Sequence, residues 1–155
     1  MLALYANTIA TAVMVGVIWF VQVVHYPLLA QFGSTQSVAV AEQHQQRTGY
    51  VVGLPMLVEG LSTLRLLARR PDGAAVLLPW LNAVLLAVAL GSTVLVSVPL
   101  HAKMALAHND ETGRRLVLTN WPRTIAWTAR LALCGVMGME GMWLQRPDGS
   151  NCMPW

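Results

Sequence analysis

The chain has 155 residues, of which 55% are hydrophobic and 11% charged, with a formal net charge of +3 and a mean hydropathy of +0.53. A soluble domain carries charge on about 25% of its residues, so this composition argues against a soluble globule and for one membrane-embedded domain. The Lys and Arg residues are scattered over loops and helix ends without forming a stripe, which fits membrane lipid headgroups and not nucleic acid as the anionic partner.

A membrane-crossing helix needs roughly 20 mostly apolar residues, and four stretches qualify, at about 8–32, 48–68, 76–98 and 121–144. The first, "TIATAVMVGVIWFVQVVHYPLLAQF", is too long for a signal-peptide core and lacks a basic lead and a small-residue cleavage site, so it is expected to stay in the mature protein. The following "GSTQSVAVAEQHQQR" is polar but free of proline, with Ser34, Thr35 and Ser37 available as caps. Residues 36–47 therefore read as an amphipathic lead-in, continuous with the second helix or bent onto it. Inside that helix Pro55 removes a backbone donor and frees the Val51 carbonyl, which either kinks the helix to open ligand space or is a packing feature.

The short turn "ARRPDGAA" makes the second and third helices antiparallel neighbours. The third ends near "SVPLH", and the loop "AKMALAHNDETGRR" carries His108, read as solvated. At the start of the fourth, Asn120 suits a cap, Pro122 a first turn and Trp121 an interfacial belt. Cys134 and Cys152 lack the spacing of a disulfide framework or a zinc knuckle. Gly49 with Gly53, and Gly135, Gly138 and Gly141, are small enough to allow close helix approach or homo-oligomer contacts. The expected fold is an all-α membrane protein: an antiparallel four-helix transmembrane bundle over residues 1–146 with a flexible tail at 147–155, multi-pass in a bacterial inner membrane. Loop cations are nearly balanced, and the compact Arg69–Arg70 loop tips the orientation toward cytoplasmic termini.

Four alternating passes bring the end of helix one, the start of two, the end of three and the start of four to one side. His25, His44, Arg47, Glu59, His101, Asn120, Arg123 and Arg130 all fall in that half, within roughly 15–17 Å of one surface at ~1.5 Å of rise per residue. An ionisable group facing hydrocarbon costs at least ~2.5 kcal/mol at the membrane centre, so these groups should turn inward. Phase agrees, because Arg123, Trp127, Arg130 and Cys134 form one stripe of helix four, and Thr93, Ser97 and His101 one stripe of helix three. Arg130, deeper than Arg123, is expected to meet Glu59 or a bound anion.

Imidazoles and a carboxylate from facing helices suit iron, copper or zinc, so His25, His44, Glu59 and His101 are the candidate metal ligands. Arg47, Asn120, Arg123 and Arg130 are the candidate groups that orient a lipophilic, oxygen-bearing small molecule. Three alternatives stand beside this. His25 and His101 could ligate haem b, with Arg123 and Arg130 on its propionates. A metal-free histidine base could act beside an Arg and Asn anion clamp on a phenol or quinone-like compound. Or the polar cluster only fixes helix packing, around one Glu59–Arg130 pair.

At "IWFVQVVHYPLL", "HQQR" followed by "GLPMLVEGLSTL", "STVLVSVPLHAKMA" and "LVLTNWPRTIAWTARL", the chain resembles a group of uncharacterised small bacterial four-helix membrane proteins. More distantly it is similar to the anthrone-oxygenase-like family. That second resemblance implies oxidation of a polycyclic phenolic anthrone to a quinone with dioxygen, hence a lipophilic substrate. The combined expectation is a metal-dependent membrane oxidoreductase, set against a non-enzymatic subunit or a haem- or quinone-binding module of a larger membrane complex.

Overall fold

The computed structural model describes residues 1–29, 34–71, 73–106 and 110–143. The tail at 147–155 and His108 lie outside these residues, and the side chains of Ser34, Thr35, Ser37, His44 and Gly141 are likewise outside the description. Among the described residues from Leu2 onward the chain is helical except for the connection between Ala68 and Leu77, with no strand. Helix α1 (Leu2–Phe20) runs through a π-helical turn (Val21–His25) into α2 (Tyr26–Leu29). The long α3 (Ser34–Ala68) follows, so the lead-in at 36–47 is continuous with the second membrane helix and Pro55 lies inside it. Helix α4 (Leu77–Ser92) passes through a second π turn (Thr93–Ser97) into α5 (Val98–Leu106), and α6 (Asp110–Trp143) closes the described chain.

Three helices are long and apolar enough to cross a membrane: Leu2–Leu28, Gln46–Ala68 and Leu77–Lys103. Of the four expected spans, the one at 121–144 is not among them. Its helix is long, but Arg123 and Arg130 dilute its apolar run. The start of that helix is also corrected. Asn120 is not a cap and Pro122 is not in a first turn, because α6 begins at Asp110 and carries both in its interior. The upstream turns are held by a Glu111–Arg115 pair spaced i, i+4 and by Leu116, which packs with Val21 and Tyr26.

Helix α1 packs against α3 and α6, α4 against α6 and α3, and α5 against α3 and α6. Between α3 and α4 the "PDG" turn places Gly73 at φ 83°, the left-handed region that glycine enters without a Cβ penalty. The Glu140 carboxylate holds that connection by accepting from the Ala75 amide at 3.0 Å. At Gly16, Gly49, Gly53, Gly135 and Gly138 an added Cβ would meet nothing within 4 Å, so close approach inside the chain is not what these glycines serve.

The radial pattern is that of a protein in lipid. Ile9, Leu54, Leu57, Leu61, Leu64, Val94 and Leu95 lie on the outside, while Asn7, Thr11, Glu59, Asn82 and Arg130 are fully buried. Water would enforce the opposite arrangement; hydrocarbon tolerates it, because polar groups that cannot be solvated outside bond to one another inside. Along the axis, apolar and polar tiers alternate. Leu4, Leu66 and Met137 fill one end; Met14, Ile18, Ala89, Ala126 and Trp127 form a middle layer; Val21, Tyr26 and Leu116 close the other end. Polar groups occupy the two gaps.

Candidate functional site

The gap between the first two apolar tiers holds a closed network. Glu59 of α3 pairs with Arg130 of α6, both side chains being 0% exposed. The Glu59 Oε1 atom also accepts from Thr11 at 2.9 Å, and its Oε2 accepts from the Trp127 indole at 3.1 Å. Arg130 Nε donates to Asn82 Oδ1 at 2.9 Å, and Nη2 donates to Thr63 at 3.3 Å. Asn7 completes the ring by donating to Ser62 at 2.8 Å and Thr63 at 3.0 Å and by accepting from Asn82 at 3.0 Å and from Cys134. Helices α1, α3, α4 and α6 each contribute, and every guanidinium nitrogen has an acceptor. Such a site fixes helix register and leaves little for a ligand to bind.

The second gap is different. A cavity of about 180 Å³ lies beneath Trp127 and is lined by Met14, Val52, Met56, Tyr26, His101 and Arg123, together with Thr93 and Ser97. The π turns aim these groups. Tyr26 N–H donates to Val21 O and Val98 N–H to Thr93 O, five residues back in both cases. A straight α-helix turns ~100° per residue, so a spacing of eight drifts ~80° off one face. The wider π turn lowers the rotation per residue and cancels much of that drift, which brings Thr93, Ser97 and His101 together on the cavity wall. π turns recur at functional positions for this reason.

Arg123 is the centre of the site. It is 6% exposed, donates Nη1 to Thr93 at 3.3 Å and Nη2 to the Tyr26 hydroxyl at 3.1 Å, and is also bonded to Asn120 Oδ1. All these partners are neutral. Among the described residues Arg123 has no carboxylate partner, and its Nε is buried without a hydrogen-bond partner, as is the Ser97 hydroxyl. Asn120 is itself held by donating to Gln22 at 2.7 Å, and Gln22 donates to the Val117 carbonyl at 3.2 Å. Tyr26 OH lies 2.9 Å from His101 Nε2. Since the phenol oxygen already accepts from Arg123, its proton is directed at that imidazole nitrogen when Nδ1 carries the ring proton.

The residues read from sequence therefore divide among three places. Arg123, Asn120 and His101 meet at the cavity. Glu59 and Arg130 meet each other in the closed network, the pairing expected of them. His25 and Arg47 lie in an outer groove between α1 and α3, which shares Val17, Val21 and Thr48 with the cavity wall. The side chain of His44 lies outside the description. Among the described residues no three His, Cys, Asp or Glu side chains come together to hold a metal ion, and both oxygens of Glu59 are committed to Arg130, Thr11 and Trp127. Among the described residues the expected metal set is therefore not brought together, His101 lying at the cavity, His25 in the groove and Glu59 in the closed network. Of the two histidines that the haem alternative uses, His101 lines the cavity and His25 the adjoining groove.

Tyr26 and Trp127 were not among the expected site residues. Trp127 was visible as a member of the Arg123–Arg130 stripe. Tyr26 had only its adjacency to His25 and Pro27, and a regular helix gives it no reason to share a face with Val21. Against known proteins, no family model, no curated protein and no solved structure matches the chain. Its functional reading rests on this geometry.

Proposed function

We propose that this protein is a four-helix transmembrane bundle of a bacterial inner membrane that binds a small lipophilic phenol or quinone-like molecule in the Arg123–Tyr26–His101 cavity. The observation that carries the reading is Arg123, a buried cation whose described partners are all neutral. An isolated charge away from water is costly, and an oxyanion on a ligand offsets that cost directly. Arg123 Nε and the Ser97 hydroxyl supply the hydrogen bonds, while Met14, Val52, Met56 and the face of Trp127 enclose the ring. A volume of about 180 Å³ admits one ring or a compact head. Any aliphatic chain leaves through the α1–α3 groove, whose wall is continuous with the cavity at Val17, Val21 and Thr48.

Chemically, the site is an acid–base relay beside an anion clamp. A ligand hydroxyl passes its proton to the Tyr26 oxygen as the Tyr26 proton passes to His101 Nε2. The ligand is left as an oxyanion against Arg123, and the imidazole as an imidazolium. Asn120, fixed by Gln22, positions the guanidinium. An ionised phenol gives up electrons more readily than a neutral one, so the relay suits the first step of a phenol oxidation.

The test uses the detergent-solubilised full chain and an alkyl para-nitrophenol, whose phenolate absorbs in visible light. Wild-type protein should bind the probe as phenolate at a pH where the free probe is mostly protonated, and Arg123→Gln should weaken binding at least tenfold. Binding as the neutral phenol, or equal binding by Arg123→Gln, overturns the reading.

A further inference from the structure

At the opposite end of the α1–α3 seam lies a second hollow, of about 710 Å³. Its rim carries three guanidiniums, Arg65, Arg69 and Arg70, and its apolar walls include Leu2 and Ala6 of α1 and Leu61 of α3. No carboxylate is among its described lining residues. Leu2 and Leu61 are 85% and 61% exposed, so this wall is open to the surrounding hydrocarbon. The C-terminal end of α3, to which Arg65 belongs, carries a partial charge of about −0.5 from its aligned peptides, which alone would repel an anion. Three full positive charges outweigh it severalfold.

We infer that this hollow is a binding site for one anionic phospholipid, its phosphodiester held by Arg65, Arg69 and Arg70 and its acyl chains lying along the α1–α3 seam. Guanidinium forks match phosphate oxygens two at a time, which ammonium groups do not. Basic pockets between transmembrane helices favour anionic headgroups for this reason. The apolar walls select a lipid over free phosphate, because a small ion gains nothing from Leu2, Ala6 and Leu61. The site is separate from the Arg123 cavity, which begins at Met14 on α1, and does not depend on what that cavity binds.

Native mass spectrometry of the full chain, delipidated in detergent and titrated with phosphatidylglycerol or phosphatidylcholine, reads the occupancy of a single bound lipid. Wild-type protein should retain one phosphatidylglycerol at least tenfold more strongly than phosphatidylcholine. Each arginine contributes roughly fivefold, so the triple variant Arg65→Gln, Arg69→Gln, Arg70→Gln should lose the preference. The triple lysine variant should keep part of it, and its retention shows that charge and not misfolding decides the result. Millimolar inorganic phosphate should not displace the lipid. The inference fails if phosphatidylglycerol shows no preference, if the triple glutamine variant keeps it, if the triple lysine variant loses it entirely, if inorganic phosphate competes as well as the lipid, or if Arg114→Gln with Arg115→Gln at the other end removes it equally.

Discussion

Arg123 and Arg130 stand seven residues apart on α6, two turns and ~10 Å along one face, and both are buried. Their surroundings differ in one respect. Arg130 has Glu59, Thr63 and Asn82; Arg123 has Thr93, Tyr26 and Asn120, and no described carboxylate. The first charge is neutralised inside the fold and forms a structural tie among helices. The second is held in place by neutral groups, with no carboxylate among its described partners, beside a hollow. The comparison shows that two arginines on one helix face can meet opposite electrostatic surroundings, one beside a buried carboxylate and one beside neutral groups and a hollow.

Removing one partner of the closed pair should have the largest effect. Glu59→Ala leaves Arg130 buried and uncompensated, a change that typically costs ~3–5 kcal/mol. Thermal unfolding in detergent, followed by circular dichroism, should show a sharply lowered midpoint. Replacing both partners, as Glu59→Leu with Arg130→Met, should recover most of that loss. If the single and double variants are equally unstable, the pair is not what holds this tier together.

Arg123→Met should destabilise far less than Glu59→Ala, by no more than ~1–2 kcal/mol, since it strands the Asn120 Oδ1 acceptor but removes a buried cation that has no described carboxylate partner and orphans no acid. Phenolate binding should nevertheless fall at least tenfold. A destabilisation matching that of Glu59→Ala would show that Arg123 is a structural tie as well, and the comparison would collapse.

A smaller loss, of ~1–3 kcal/mol, is expected from Asn7→Ala, which strands the Asn82 amide and the Cys134 thiol that now meet Asn7 Oδ1. Phenolate affinity should not change, because Asn7 belongs to the other tier. Any strong effect on binding would mean that the Trp127 layer between the tiers does not insulate them. Least of all, Arg115→Gln should move the midpoint by no more than a few tenths of a kcal/mol equivalent, because the Glu111–Arg115 pair is about two-thirds exposed.

Much of the fold was legible from residue order. The long apolar runs, the continuous lead-in into α3 and the meeting of Glu59 with Arg130 all follow from span length, helical phase and the cost of charge in lipid. The separation of Glu59 from His101 was not legible. Rise per residue places both in one half of the membrane, but it does not reveal that Met14, Ala89 and Trp127 pack into a layer between two polar tiers. The start of α6 was misjudged for a related reason: Asn120 and Pro122 carry the local signature of a helix beginning, and only the packing of Leu116 on Val21 and Tyr26 extends the helix upstream to Asp110.

Sequence by itself determined that this chain is helical, that it carries long apolar runs suited to a membrane, of which three and not the expected four are long and apolar enough to cross one, and that its ionisable groups turn inward, since those follow from periodicity and from the penalty hydrocarbon sets on charge. Tertiary structure alone decided that Arg123 faces a hollow with Tyr26 and His101 beside it. Two π turns shift the phase of the chain after Phe20 and Ser92, and a phase shift that depends on packing against neighbouring helices leaves no mark in residue spacing.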